Sequence, residues 1–198
     1  MCRLLETIRV ESKRFFNLPY HNRRLNRSRR ELFGDVPAID LERVLRIPPG
    51  LGTGRFKCRV ICNTSIRSVE FEPYELKPVT CLKIVDGRGI AYGNKYADRN
   101  SLNRLHALRE DCDDVLIVRD GKITDTTYAN VAFFTGIRWY TPNTYLLPGT
   151  KRRQLIDSGE LQTKEIAVSD LSSYVSVALI NAMIDLGEVT LPVSSIIE

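Results

Sequence analysis

Short apolar runs cut by tight turns dominate the second half of this chain, and they restrict its fold more than any other feature. "DVLIVRDGKITDT" carries Asp120-Gly121 between two alternating segments, the pairing favoured in a two-residue hairpin. "NVAFF", the turn Thr135-Gly136 and "IRWYTP" repeat the pattern. Before them lie "VTCLKIV", a Gly-rich turn "DGRG", and "IAY" leading to Lys95, with leucines 102, 105 and 108 at helical spacing beyond. After them a helix opens at Pro148-Gly149-Thr150, followed by the strands "TKEIAV" and "YVSVALIN".

The first half reads as strand, helix, strand, strand. "LLETIRV" (4 to 10) alternates, and "FFNLP" (15 to 19) forms a short strand or turn. A helix over about 20 to 33 buries Leu18, His21, Leu25, Ser28 and Leu32. Arg24 and Arg29 flank that stripe, while Arg23, Arg27 and Arg30 point away. "PPGLGTGR" is a loop, and "FKCRVICN" and "IRSVEFEPY" are strands. The unpatterned "EPYELKP" separates residues 1–76, an N-terminal α+β unit, from residues 77–198. The expected fold is therefore α+β, two small α/β modules with mixed sheets.

A chain of 198 residues, 43% hydrophobic and 8% aromatic, is ordinary for a globular protein and excludes the disordered classes. No apolar stretch approaches a membrane span, and "MCRLLETIRVESKR" is no signal peptide, so a cytoplasmic protein is expected. Five cysteines without CxxC pairs indicate neither a disulfide framework nor a zinc site, and they are expected to be reduced, with no metal bound. The net charge of +5 is concentrated in residues 9 to 30, with eight Lys/Arg against Glu11. That cluster lacks the interleaved aromatics of a nucleic-acid platform, so neither a nucleic-acid nor a membrane partner is expected.

Lys95 can be a solvated cation or an amine fixed in a pocket, where it would form a Schiff base. The order of small motifs bears on this choice. "ETIRV", "LPYHNRRL", "ITDTTYAN", "LLPGTKRRQLI" and "ALINAM" resemble, in that order, motifs of the class IV aminotransferases. These are fold-type IV pyridoxal phosphate (PLP) enzymes, among them branched-chain and D-amino-acid aminotransferases and aminodeoxychorismate lyase.

The resemblance implies that Arg24, in the "H-x-x-R-L" position, binds the phosphate of PLP. Asp125 stands where the family has a glutamate against the pyridine nitrogen, which keeps the ring an electron sink. Gly149, Thr150 and Lys151 match a turn that receives the phosphate, though the family usually has an aliphatic residue then Thr there. Asn181 and Ala182 match small residues completing the cradle, and "INAM" resembles the lyases more than the aminotransferases.

The family lysine precedes "L-N-x-L" by two residues, where this chain has Asn100, which forms no imine. Counting along the preceding strand and turn instead reaches Lys95, with "YADR" as an insertion. Lys95 is thus the expected catalytic amine, and Arg59 a candidate for the substrate carboxylate. The resemblance implies transamination of an amino acid, with pyruvate elimination from aminodeoxychorismate and a non-catalytic anion binder as alternatives. It also implies a homodimer. The chain begins almost at "ETIRV" and stops soon after "INAM", so an N- and C-terminally trimmed member is expected.

Overall fold

The computed structural model describes residues 2–90 and 92–198, which fall into two compact units. The first unit runs to Leu76 and takes back Asn94–Asp98; the second holds Lys77–Gly93 and Arg99–Glu198.

In the first unit, β1 (Leu4–Glu11), β2 (Arg14–Phe15), β3 (Phe56–Cys62) and β4 (Ile66–Pro73) form a sheet of order β2-β1-β3-β4 with antiparallel neighbours. Helix α1 (Leu18–Phe33) and the short α2 (Leu41–Val44) complete it. Alternation places Leu4, Glu6, Ile8 and Val10 on one face of β1, opposite Cys62, Val60, Cys58 and Phe56 of β3. The core is built there, with Leu25, Leu41 and Leu45 packed among these residues. The stripe expected on α1 is realised at His21, Leu25 and Ser28, and Arg24 and Arg29 are buried beside it.

The second unit contains two mixed sheets. One has the order β13-β5-β6-β7, from β5 (Leu82–Asp86), β6 (Asp114–Arg119), β7 (Lys122–Ile123) and β13 (Ile196–Ile197); β13, β5 and β6 are parallel neighbours and β7 is antiparallel. The other has the order β10-β9-β8-β11-β12, from β8 (Asn130–Phe134), β9 (Trp139–Pro142), β10 (Leu161–Lys164), β11 (Ser176–Ile180) and β12 (Thr190–Pro192). Only β9 and β10 run parallel in it. Helices α3 (Asn100–His106) and α4 (Thr150–Asp157) belong to this unit. Asp120 and Gly121 both adopt positive φ (51° and 75°), the turn geometry that joins β6 to β7.

Five expectations are corrected. Ile90 and Tyr92 are not in a strand, and Ala91 lies outside the described residues. Lys95 instead follows a loop and belongs to the first unit, not the C-terminal one. The "TKEIAV" strand ends at Lys164, with a 3-10 turn starting at Val168, and Leu108 is exposed because α3 tightens into a 3-10 turn after His106. Finally, Cys81 and Cys112 are joined in a disulfide. They flank the starts of the parallel pair β5–β6, where Leu82 faces Asp114, so register rather than sequence spacing brings them together. Cys58 and Cys62 are free, and burial raises their thiols to about 12 and about 11.

Candidate active site

Glu6 is a carboxylate on the apolar face of β1, only 2% exposed. Such a group needs charged partners, and α1 supplies them. Arg24 donates from Nε to Oε1 at 2.9 Å and from Nη2 to Oε2 at 2.5 Å. His21 Nδ1 lies 2.6 Å from Oε2. Burial alone would raise the Glu6 pKa, but Arg24 and His21 outweigh it and bring it down to about 2. His21 is fully buried, and burial, the dominant cause, holds its pKa below the ordinary value; Arg24 and Lys95 act in the same direction. The ring is therefore neutral, and since an ionised carboxylate only accepts, Nδ1 carries the proton and donates to Glu6.

Lys95 is held along the edge of β1 opposite β3. Its carbonyl accepts from Leu5 N at 2.9 Å, Tyr96 bridges to Leu4, and Ala97 N donates to Arg3 O at 2.8 Å. The backbone of Lys95 is thus bonded to the residue preceding Glu6, and its charge reaches His21. Arg24 and Lys95, two residues expected in the site, are gathered around one strand. Arg59 is not with them. It pairs with Thr7 across β1 and β3, on the face opposite Glu6, and lies 3.4 Å from Glu72 with Nε making no hydrogen bond.

The other expected residues meet in the second unit. Asp125, 4% exposed, accepts from Asn130 Nδ2 at 2.7 Å on Oδ1, and from Leu146 N (3.0 Å) and Leu147 N (2.9 Å) on Oδ2. Burial raises its pKa to about 6 despite these bonds and the charge of Arg152. Gly149 caps α4 and touches the same network, for a Cβ there would fall 1.8 Å from Asn130 Oδ1. Thr150 and Lys151 begin α4, whose first N–H groups have no partner within the helix. The Lys151 amine is committed to Asp185 at 2.5 Å. Asn181 donates to Tyr128 O at 3.2 Å and accepts from Met183 N, which ties the "INAM" segment to the Asp125–Asn130 loop; Ala182 is half-buried beside it.

Sequence reasoning passed over Glu6 and Asn130 as functional groups. An acid in register with Leu4, Ile8 and Val10 was the available signal for Glu6. Asn130 stands at the asparagine that closes the family motif "ITDTTYAN" resembles, but its role was not legible, because its partners at Leu147 and Gly149 are remote in sequence.

The first unit offers a buried guanidinium and an amine fixed by its backbone, groups that suit an anionic, aldehyde-bearing cofactor, and the second unit by itself offers a buried acid and a helix entrance without an acidic first turn. Mixed sheets with few helices, in this order, are those of fold-type IV PLP enzymes. A structure from Haemophilus somnus 129pt, named as a candidate 4-amino-4-deoxychorismate lyase, superposes with a TM-score of 0.86 at 31% identity, covering 94% of this chain and 98% of that one. A candidate amino-acid aminotransferase from Mesorhizobium loti gives 0.81 at 23% identity, covering 96% and 99%. A hypothetical aminotransferase from Mycobacterium tuberculosis in its PLP-bound form gives 0.78 at 19%, covering 98% and 81%.

The family model for amino-transferase class IV matches residues 90–196. An uncharacterized protein of Haemophilus influenzae is 34% identical over 182 residues, 91% of this chain and 97% of the relative. The chain belongs to the class IV aminotransferase family, whose members are PLP-dependent aminotransferases or lyases. No helix among the described residues is long and apolar enough to cross a membrane.

Proposed function

We propose that this protein is a PLP-dependent enzyme that acts at the Cα of an amino-acid substrate, with Lys95 as both cofactor anchor and proton carrier. The observation that carries the reading is the placement of Lys95, bonded through its backbone to β1 beside the buried Glu6–Arg24–His21 cluster. When bound, PLP supplies an electron sink for the pair left as a bond at Cα breaks.

The chain's own residues have separable roles. Arg24 meets the phosphate with a planar, two-pronged cation, oriented from behind by Glu6. The entrance of α4 at Thr150 and Lys151 adds backbone donors, and Asn181 with Ala182 closes the cradle. Asp125 holds the ring nitrogen protonated. The Lys95 Nζ would take the proton from the substrate Cα.

Two reactions use this set. The sequence motifs are generic to the class, whereas the 31% identity to a candidate 4-amino-4-deoxychorismate lyase, together with "INAM", favours elimination of pyruvate to leave an aromatic amine. We place elimination first and transamination second, with a homodimer as the working assembly. Purified protein loaded with PLP should release pyruvate from aminodeoxychorismate, and Lys95→Ala should release none. Keto-acid formation from amino acids without pyruvate release would select transamination, and neither product would reject the enzyme reading.

A further inference from the structure

Asn130 stands where three segments of the second unit meet. It opens β8, its Nδ2 donates to Asp125 Oδ1 at 2.7 Å and to Leu147 O at 2.9 Å, and it is 6% exposed. Two acceptors on one side fix the orientation of the amide, since only the nitrogen can serve both. The oxygen must then face the other way, and there it lies against Gly149, so close that a Cβ would sit 1.8 Å from it. Residues 125 and 130 also form an antiparallel bridge, and Leu146 N and Leu147 N bond the second oxygen of Asp125. The carboxylate and the 146–149 loop, up to the Gly149 cap of α4, are thereby cross-braced through one side chain.

We propose that Asn130 is a positioning residue that locks the Asp125 carboxylate to the entrance of α4, with Gly149 as the residue that leaves room for its carbonyl. On the reading above, in which Asp125 meets the cofactor ring and the α4 entrance its phosphate, Asn130 holds the two contacts at a fixed separation. A loose Asp125 would pair with the ring nitrogen in several geometries, and a loose α4 entrance would add backbone donors with no fixed aim. The amide is suited to the task because it donates twice without adding a second charge beside a buried acid.

The test is a pH titration of the full chain without cofactor, following Asp125 13Cγ and the Asn130 side-chain 15Nδ2 by NMR. In the unaltered protein the Asn130 signal should shift with the same midpoint as Asp125. In Gly149→Ala, and in Asn130→Ala, the Asp125 midpoint should rise by about one pH unit, a tenfold change in its protonation ratio, because a donor to the ionised form is displaced or lost. Arg153→Ala, at an exposed position on the same helix, should leave the midpoint in place. A flat Asn130 signal across the Asp125 titration, or an unmoved midpoint in folded Gly149→Ala protein, overturns the proposal. The unaltered protein supplies the first of these readings even where a variant fails to fold. Absence of PLP uptake would instead contradict the proposed function and leave the measured coupling standing.

Discussion

Glu6 and Asp125 are both buried carboxylates, and their surroundings push them in opposite directions. For Glu6, lowered from 4.5 to about 2, the stabilisation is present above pH 4.5 and is lost as pH falls through about 2. Glu6→Gln keeps the shape but leaves Arg24 buried without its counter-charge, which should cost about 3–5 kcal/mol in denaturant melts at neutral pH. It should also weaken PLP far more than pyridoxal, which lacks the phosphate; equal losses for both would detach Glu6 and Arg24 from the phosphate. Asp125 has the reverse sign. Raised from 3.8 to about 6, it stabilises the fold below pH 3.8, and that contribution is lost as pH rises through about 6. The swing is roughly 3 kcal/mol. Cofactor-free wild-type protein should therefore lose that much stability relative to Asp125→Asn between about pH 3.5 and 7, and a constant difference across that range would place Asp125 in a solvated setting. An acid at an apolar register position was readable in "LLETIRV", whereas the burial of Asp125 depends on Leu146 and Leu147 folding over it.

At the scale of elements, α1 separates charge that holds structure from charge that faces water. Arg29, 1% exposed, donates to Asn63 O, Thr64 O and Pro37 O and to Asn26 Oδ1, which ties the helix to the β3–β4 turn and to the segment before α2. Arg29→Ala would orphan three carbonyls and should cost about 2–5 kcal/mol in thermal or denaturant melts. Arg23→Ala removes only an exposed stacking contact with Tyr20 and should change stability by less than about 0.5 kcal/mol. Helical periodicity was enough to divide these arginines, and the β6–β7 and β8–β9 hairpins were equally legible, because their turns are local. The Lys95 segment was not. Its apolar "IAY" has strand composition, but the chain leaves β5 after Asp86 and bonds instead to Leu4 and Leu5, partners about ninety residues earlier that no local pattern encodes.

Across the whole molecule, long-range closures do what local propensity cannot. The Cys81–Cys112 bridge closes 31 residues of chain spanning the β5–β6 crossover. A loop of that length contributes about 3–4 kcal/mol by restricting the unfolded chain. Non-reducing peptide mapping should recover the linked pair, and reductant should lower the denaturation midpoint by an amount that Cys81→Ser reproduces; a midpoint indifferent to reductant would contradict the bridge. The excursion of Asn94–Asp98 to the first unit is the closure that matters most for chemistry, since it bonds the Lys95 backbone to β1 next to Glu6 and brings its charge to bear on His21. Borohydride reduction of PLP-loaded protein, followed by peptide mass mapping, tests that placement most directly. The pyridoxyl adduct should fall on Lys95 in wild-type protein and be absent from Lys95→Ala. An adduct on Lys83, Lys122 or Lys151, or none at all, would contradict the assignment of Lys95.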